Sequence, residues 1–308
     1  MTVLFQDKII YMPYMPPFAR YEKMEDYTAR CKPVEWESLH IKSLDGTKIA
    51  LAIGRLPEHM STDDAIRAKK RRVVIAYFHG NGSSIPPRLP LMSGTLKAIE
   101  RASANSNVEF VIVALSYRGY WTSSGRASQA GIEKDAQAML QWIRGKHQGP
   151  GIDLQIVLWG QSIGAGVAST AAATYVTERA EEQPPITALV LETPFTGIKS
   201  MLLALYPQKW LPYKYLWPFL WNHWDSELAL RRVAESGRRP KILLLPATRD
   251  EVVPRNEVGK LESICNELDL PMKRKDIDGA LHFEATVRKD GQAAVAGFVA
   301  DVIGSRRS

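Results

Sequence analysis

A serine flanked by glycines is the residue with the clearest chemical potential in this sequence. Ser162 lies in the run Gly160-Gln161-Ser162-Ile163-Gly164, which follows an apolar run and precedes an alanine-rich helical run. A sharp strand-to-helix turn strains the serine backbone, and glycines let the helix pack close to the strand. This context predicts a nucleophile elbow that presents the Ser162 hydroxyl in a cleft. The alternative is a G-x-S-x-G pattern that arises by chance in a glycine-rich turn.

A nucleophilic serine needs a base within hydrogen-bond reach, and that base needs a third group to orient it. His282 is the favoured base among six histidines, because it follows the last predicted strand at a glycine-containing turn. His79 follows a buried strand directly, and we expect it to brace neighbouring loops. The remaining histidines lie in strand, loop or cap positions with no matching acid: His40, His59, His147 and His223.

The acid that orients the base is predicted to be Asp250. It lies in the loop 247–254 after a predicted strand, which gives the chain order Ser, Asp, His that is known for such triads. Asp278 is the most serious competitor, because it is close to His282 in sequence. The other carboxylates that could serve are Glu192, Asp225, Glu251 and Asp276.

Attack by the serine leaves a negative oxygen on a tetrahedral carbon, and backbone N–H groups must stabilise it. The N–H of Ile163, directly after the serine, is one predicted donor. The turn His79-Gly80-Asn81-Gly82 follows a buried strand, and its glycines allow a close approach to the substrate. The N–H of Asn81 is therefore the second predicted oxyanion-hole donor.

Buried strands alternate with helices along the chain, which predicts an α/β class protein with a mostly parallel, eight-stranded sheet and helices on both faces. Two antiparallel strands come first, within 35–53 around Asp45-Gly46. The further strands are predicted at 73–78, 109–115, 156–159, 188–192, 241–246 and 272–278. Besides the helix that starts at the elbow, helices are predicted at about 91–102, 129–144, 256–268 and 283–302.

Length and composition favour one large domain at 35–308, preceded by an arm at 1–34. The arm is rich in aromatic residues and proline. Pro13, Pro16 and Pro17 forbid a continuous helix or central strand, so an extended arm is predicted.

A small cap insertion is predicted at about 195–224, where four of the eight tryptophans lie among several prolines. One interpretation is an apolar channel for an acyl chain, or a surface that touches lipid, with Trp210, Trp217 and Trp221 as substrate-binding candidates. The alternative is that these rings and Trp224 fill the interface between the cap and the core.

The sequence lacks motifs that are typical of metal, dinucleotide or nucleotide binding. Cys31 and Cys265 are far apart, and the sequence contains no metal-ligand spacing, dinucleotide motif or P-loop, so no metal or cofactor is predicted. The net charge is +7, and the basic residues are dispersed except for the run Arg67–Arg72. This run is predicted to be a solvated loop, with contact to an anionic membrane surface or to nucleic acid as the alternative. No nucleic acid is expected. Without a signal peptide or span, an intracellular protein, cytoplasmic or peripheral to a membrane, is expected.

These motifs together resemble the α/β-hydrolase superfamily. Within it, the chain is most similar to the bud-emergence-type serine hydrolases of fungi and their animal abhydrolase-domain relatives. The resemblance rests on HGNG at 79–82, SYRGY at 116–120, GIEKDAQAMLQWI at 131–143, WGQSIGAGVA at 159–168, LETPFTGI at 191–198, HWDS at 223–226 and RDEVVP at 249–254. Two departures concern the walls of the site: HGNG replaces the usual HGNAG, and ALHFEA replaces the usual Gly-His-Asn or Gly-His-Ser.

The resemblance implies Ser162, Asp250 and His282 as nucleophile, acid and base, in agreement with the interpretation from spacing. It also implies a serine hydrolase that cleaves carboxylic esters or thioesters of lipid or acyl substrates through an acyl-enzyme. The expected partners are a small-molecule ester or acyl substrate and, peripherally, a membrane surface. The alternative function is a catalytically silent scaffold that presents its cap or basic loop to another protein.

Overall fold

An eight-stranded sheet forms the centre of the protein. The computed structural model describes residues 6–57, 70–104, 107–178, 183–205 and 219–304. The strands are β1 (Glu35–Lys42), β2 (Lys48–Arg55), β3 (Lys70–Phe78), β4 (Val108–Ser116), β5 (Ile152–Gln161), β6 (Ile186–Glu192), β7 (Lys241–Leu245) and β8 (Met272–Arg274). Their order is β1-β2-β4-β3-β5-β6-β7-β8, with β1 and β2 antiparallel to their neighbours and all other pairs parallel. The predicted fold class is confirmed.

Helices cover both faces of this sheet. Within the described residues they are α1 (Gln6–Ile10), α2 (Glu25–Cys31), α3 (Leu89–Ala102), α4 (Gln129–His147), α5 (Ile163–Thr177), α6 (Ile198–Leu205), α7 (Ser226–Glu235), α8 (Asn256–Glu267) and α9 (Lys289–Gly304). Strand β3 is apolar without interruption from Val73 to Phe78 because both of its faces are covered. Val74, Ala76 and Phe78 pack towards α4 and α5, whereas the alternate residues Ile75 and Tyr77 pack towards α3 and α9.

The N-terminal segment differs from the predicted extended arm. Residues 6–31 contain α1, a 3₁₀ turn at Ala19–Tyr21 and α2, joined by turns in which the prolines lie. The prolines prevented one long helix, as expected, but helices this short form where tertiary contacts stabilise them. The Tyr11 hydroxyl supplies such contacts, because it donates to Asn222 and accepts from the Trp224 indole.

Three other boundaries differ from the prediction. Strand β3 begins at Lys70, so Arg71 and Arg72 of the basic run lie in the sheet, where Arg72 pairs with Glu109 at 2.7 Å; residues 67–69 lie outside the described chain. The last helix begins at Lys289 instead of near 283, because residues 282–288 form turns that follow the edge of the sheet. Strand β8 is also shorter than predicted and is followed by an isolated bridge between 247 and 277.

Of the predicted cap, only 195–205 and 219–224 fall within the described residues. The first of these segments carries α6. None of the helices in the described ranges combines the length and apolar character that crossing a membrane requires.

Candidate active site

Ser162 occupies the sharp turn between β5 and α5. Its backbone has φ 55° and ψ −122°, a region that L-residues rarely adopt. A Cβ on Gly164 would lie 2.1 Å from the carbonyl oxygen of Phe78, and one on Gly160 would lie 2.1 Å from that of Gly164. Only glycine therefore lets α5 begin so close to β3 and β5. The placement of Ser162 at a strained strand-to-helix turn agrees with the prediction.

His282 bridges Ser162 and Asp250. Its Nε2 lies 2.8 Å from the Ser162 Oγ, and its Nδ1 lies 2.9 Å and 3.0 Å from the two Asp250 carboxylate oxygens. Because a carboxylate only accepts hydrogen bonds, Nδ1 carries the proton and the Nε2 lone pair faces the serine hydroxyl. All three side chains are buried. The arrangement can transfer a proton from the serine to the imidazole.

Backbone hydrogen bonds fix the loops that carry the acid and the base. The Asp250 Oδ1 accepts from the N–H groups of Val252 and Val253, at 2.9 Å and 2.7 Å. The Glu251 carboxylate accepts from the backbone N–H of His282 at 3.0 Å. The sequence indicates Glu251 only as a competing acid and does not predict this anchoring contact. The position of Glu251 next to Asp250 is the one local signal for it.

The competing carboxylates have other partners. Asp278 accepts from the Thr248 hydroxyl at 3.1 Å and is exposed, and Asp276 pairs with Arg274. Asp225 caps α7 through the N–H of Leu228. Glu192 is buried at the end of β6, where its partners are Trp159, Gln161 and Thr286. Among the hydrogen bonds of the described residues, Asp250 alone supplies a carboxylate to the His282 imidazole.

The turn after β3 borders the nucleophile. A Cβ on Gly80 would lie 3.5 Å from the Ser162 Cβ. Ile163 is the first residue of α5, where N–H groups have no partner within the helix. Both predicted oxyanion donors, the N–H groups of Asn81 and Ile163, thus belong to segments beside Ser162. Their role in stabilising an oxyanion stays a prediction.

The side chain of Asn81 fixes this turn from the outside. Its Oδ1 accepts from the Gly82 N–H at 2.8 Å, the Tyr120 hydroxyl at 2.9 Å and the Met12 N–H at 3.0 Å. Its Nδ2 donates to the carbonyl of Ile10. The N-terminal segment is therefore bound directly to the predicted oxyanion turn, a contact that the sequence did not indicate.

His79 has the bracing role expected for it. Its ring stacks on Tyr117 with centroids 4.0 Å apart, and its Nδ1 lies 2.7 Å from the Gly80 carbonyl. The Tyr117 hydroxyl donates to the backbone carbonyl of His79. Burial, with a smaller contribution from the Arg88 charge, lowers the pKa of His79 to about 3. The imidazole is therefore neutral at pH 7.

The tryptophans of the predicted cap divide into three groups. Trp210 and Trp217 lie outside the described residues. Trp224 is fully buried, and its Cβ is 2.9 Å from where a Cβ on Gly166 would lie. It fits the alternative in which aromatic rings fill the interface with the core. Trp221 is 53% exposed and is the one substrate-binding candidate whose position is described.

The strand order and the turn after β5 define the α/β-hydrolase fold. Solved structures share it: an α/β hydrolase from Vibrio vulnificus aligns over 98% of this chain and 93% of that chain, with TM-score 0.65 and 18% identity. A Rhizomucor miehei structure described as one of two fungal esterases aligns over 98% of this chain and 94% of that one, with TM-score 0.61 and 17% identity. At these identities the likeness establishes the fold alone.

By sequence, the chain resembles three curated α/β-hydrolase-domain proteins. Protein bem46 of Schizosaccharomyces pombe is 32% identical over 63% of this chain and 56% of its own length. The α/β hydrolase domain-containing protein WAV2 of Arabidopsis thaliana is 29% identical over 82% of this chain and 73% of its own. The lysophosphatidylserine lipase ABHD12 of Macaca fascicularis is 28% identical over 68% of this chain and 48% of its own.

A family model described as Chlamydia CHLPS protein (DUF818) also matches residues 66–186, which include the predicted oxyanion turn and the elbow. The chain spans about half the length of bem46 and of the macaque lipase. The predicted resemblance to bud-emergence-type and abhydrolase-domain proteins is confirmed.

Proposed function

We propose that this protein is a serine hydrolase that cleaves carboxylic esters or thioesters through an acyl-enzyme on Ser162. The observation that carries the proposal is the hydrogen-bond chain from Ser162 Oγ through His282 to Asp250, with distances of 2.8 Å and 2.9 Å. A base that contacts both a serine at a strained turn and a buried carboxylate has the geometry that acyl transfer requires.

The proposed reaction follows from these contacts. Ser162 Oγ attacks the substrate carbonyl carbon while His282 Nε2 takes the hydroxyl proton, and Asp250 stabilises the imidazolium. The N–H groups of Asn81 and Ile163 stabilise the oxyanion. The imidazolium then gives its proton to the leaving alkoxide or thiolate as the carbon–oxygen or carbon–sulfur bond breaks. Water, deprotonated by His282, attacks the acyl carbon, and the imidazolium returns this proton to Ser162 Oγ as the acyl carbon–oxygen bond breaks and the acid leaves.

Covalent labelling tests this proposal. A fluorophosphonate probe should label the wild-type protein and fail to label Ser162→Ala. Ser169→Ala is the matched control, because Ser169 is also a buried serine, on α5 directly after Ser162, and its hydroxyl has no hydrogen-bond partner among the described residues. Labelling that survives in folded Ser162→Ala contradicts the proposal. A folded wild-type protein that stays unlabelled, and inactive on short p-nitrophenyl esters, supports the scaffold alternative.

For the substrate, we propose medium to long acyl chains, with lipid esters favoured. Three exposed apolar side chains support this: Phe283, whose ring centroid is 4.6 Å from that of His282, Met15 on the N-terminal segment that contacts the predicted oxyanion turn, and Trp221 on the predicted cap. Each methylene that such surfaces bury contributes about 0.8 kcal/mol to binding. The net charge of +7 would draw the protein towards anionic membrane surfaces, which makes peripheral membrane contact part of the proposal.

A chain-length series tests the substrate proposal. With p-nitrophenyl and thioester substrates from acetate to palmitate, kcat/KM should rise beyond butyrate. Phe283→Ala should flatten that rise, whereas Leu228→Ala on α7, with a side chain of similar exposure (46% against 48%), should not. A steady fall of kcat/KM beyond butyrate would indicate a small-ester carboxylesterase instead.

A further inference from the structure

Glu192 is a second buried carboxylate near the site, and the proposed reaction does not use it. Its Oε1 accepts from the Thr286 hydroxyl at 2.8 Å, the Thr286 N–H at 3.1 Å and the Gln161 amide at 3.3 Å. Its Oε2 accepts from the Trp159 indole at 3.0 Å, and its backbone carbonyl accepts from the Ser162 N–H at 2.8 Å. The side chain thus joins the end of β5 to the loop that carries His282.

Arg88 continues this network on the other side of Gln161. It is 8% exposed, and its Nη1 donates to the Gln161 Oε1 at 2.5 Å while its Nη2 donates to the Gly82 carbonyl at 3.3 Å. Because a guanidinium only donates and a carboxylate only accepts, the Gln161 amide must present its oxygen to Arg88 and its nitrogen to Glu192. Both polar ends of Gln161 are therefore used.

The network connects the three parts that the proposed reaction needs. Gly82 belongs to the oxyanion turn, Gln161 immediately precedes the nucleophile, and Thr286 lies four residues after the base. A hydrogen-bonded route runs from the Gly82 carbonyl through Arg88, Gln161 and Glu192 to Thr286. Each step is a direct contact; the steps from Arg88 to Thr286 are buried, and the contact of Arg88 with Gly82 is partly buried.

Stability alone does not account for this arrangement. Burying charged side chains such as Arg88 and Glu192 costs desolvation free energy, and apolar residues of similar volume often stabilise a fold as well or better. Among the described residues, the buried Nε of Arg88 has no hydrogen-bond partner, which adds a desolvation cost. Burial also raises the pKa of Glu192. This network is costly in free energy, and it contacts the oxyanion turn, the residue before the nucleophile and the loop of the base. Positioning of these three segments explains it better than stability does.

We infer that Arg88 and Glu192 are positioning residues, which hold the oxyanion turn and the His282 loop in register with Ser162 through Gln161 and Thr286. This inference rests on the proposed serine hydrolase function. Reacting groups in such a site must be held within a fraction of an ångström, because a displacement of about 1 Å costs on the order of 100-fold in rate.

Thr286→Val is the sharpest test, because it removes one hydroxyl from the network and keeps the backbone N–H contact to Glu192. We expect kcat for p-nitrophenyl butyrate, and the rate constant of fluorophosphonate labelling, to fall about 10-fold, with KM changed less than about twofold. Thr286→Ser restores the hydroxyl and should recover most of the loss. Glu192→Gln, which turns an acceptor for several donors into an amide, should lower kcat by about 100-fold.

Thr187→Val is the matched control. Thr187 is a buried threonine at the opposite end of β6, and its hydroxyl donates to the Ile156 carbonyl at 3.3 Å. It should lower Tm about as much as Thr286→Val while kcat stays at the wild-type value. If Thr286→Val keeps wild-type kcat, or loses no more than this control, the inference is wrong while the proposed function stands. If wild-type protein is not labelled at Ser162, the proposed function fails first.

Discussion

Two buried histidines lie at the same edge of the sheet, in different settings. His79 follows β3 and stacks on Tyr117, and its Nε2 has no hydrogen-bond partner in the part of the chain that the structure describes. His282 lies after β8, and its two ring nitrogens face a hydroxyl and a carboxylate. Both imidazole rings are buried, but the groups that their ring nitrogens contact are different. A histidine's role in this fold is set by what its nitrogens contact, since one ring is held as packing and the other is placed to accept a proton.

The largest expected effect separates the two histidines by activity. His282→Gln should lower kcat/KM for p-nitrophenyl butyrate on the order of 10⁴ to 10⁶-fold, because the serine loses its base. His79→Gln should lower Tm and reduce activity by less than about 10-fold, since no proton transfer uses it. Steady-state kinetics on folded protein measures both. Comparable losses in the two variants would remove the distinction.

The next effect sharpens the comparison through the carboxylate partner. Asp250→Asn should lower kcat by about 10³-fold or more, because the imidazole loses the acceptor that fixes its tautomer. Asp278→Asn should change kcat less than about twofold, since Asp278 contacts Thr248 instead. Circular dichroism controls for folding. The reverse pattern of losses would make Asp278 the acid.

The smallest effect concerns pH and stability. The pKa of His79 is about 3 in the folded protein, below its ordinary value of 6.5. Between these values the unfolded chain binds a proton that the folded protein does not, so stability falls as pH drops from 6.5 towards 3. At pH 5 this amounts to about 2 kcal/mol relative to pH 7.

His79→Phe keeps a ring at this position and cannot bind a proton, so its stability should fall less between pH 7 and pH 5. Urea unfolding at both pH values measures the difference. His147, whose pKa burial lowers to about 4, contributes the same slope to both proteins and cancels. Parallel stability curves for variant and wild type would show that His79 is protonated in the folded protein.

Much of the fold and the core of the candidate site could be predicted because their signals are local. The short run of glycines around Ser162 predicts the elbow, and the position of Asp250 in the loop after a predicted strand predicts the acid. The start of α9 was not predicted correctly, because Thr286 donates hydrogen bonds to Glu192 and residues 282–288 form turns instead of helix. Thr286 and Glu192 are 94 positions apart in the sequence. No local pattern carries that contact. The binding of Asn81 to the N-terminal segment was missed for the same reason.

The hydrogen bond between Ser162 and His282 joins residues 120 positions apart, so the site depends on contacts between distant parts of the chain. Closing such long loops is entropically costly and slow, and a refolding chain can form β3, β4, β5 and the elbow before the base arrives. We expect far-UV circular dichroism to recover earlier than labelling of Ser162 when the denatured protein is diluted into buffer. We therefore expect activity to appear only in the last step of folding, because a partly folded chain has Ser162 in place without the His282 base beside it.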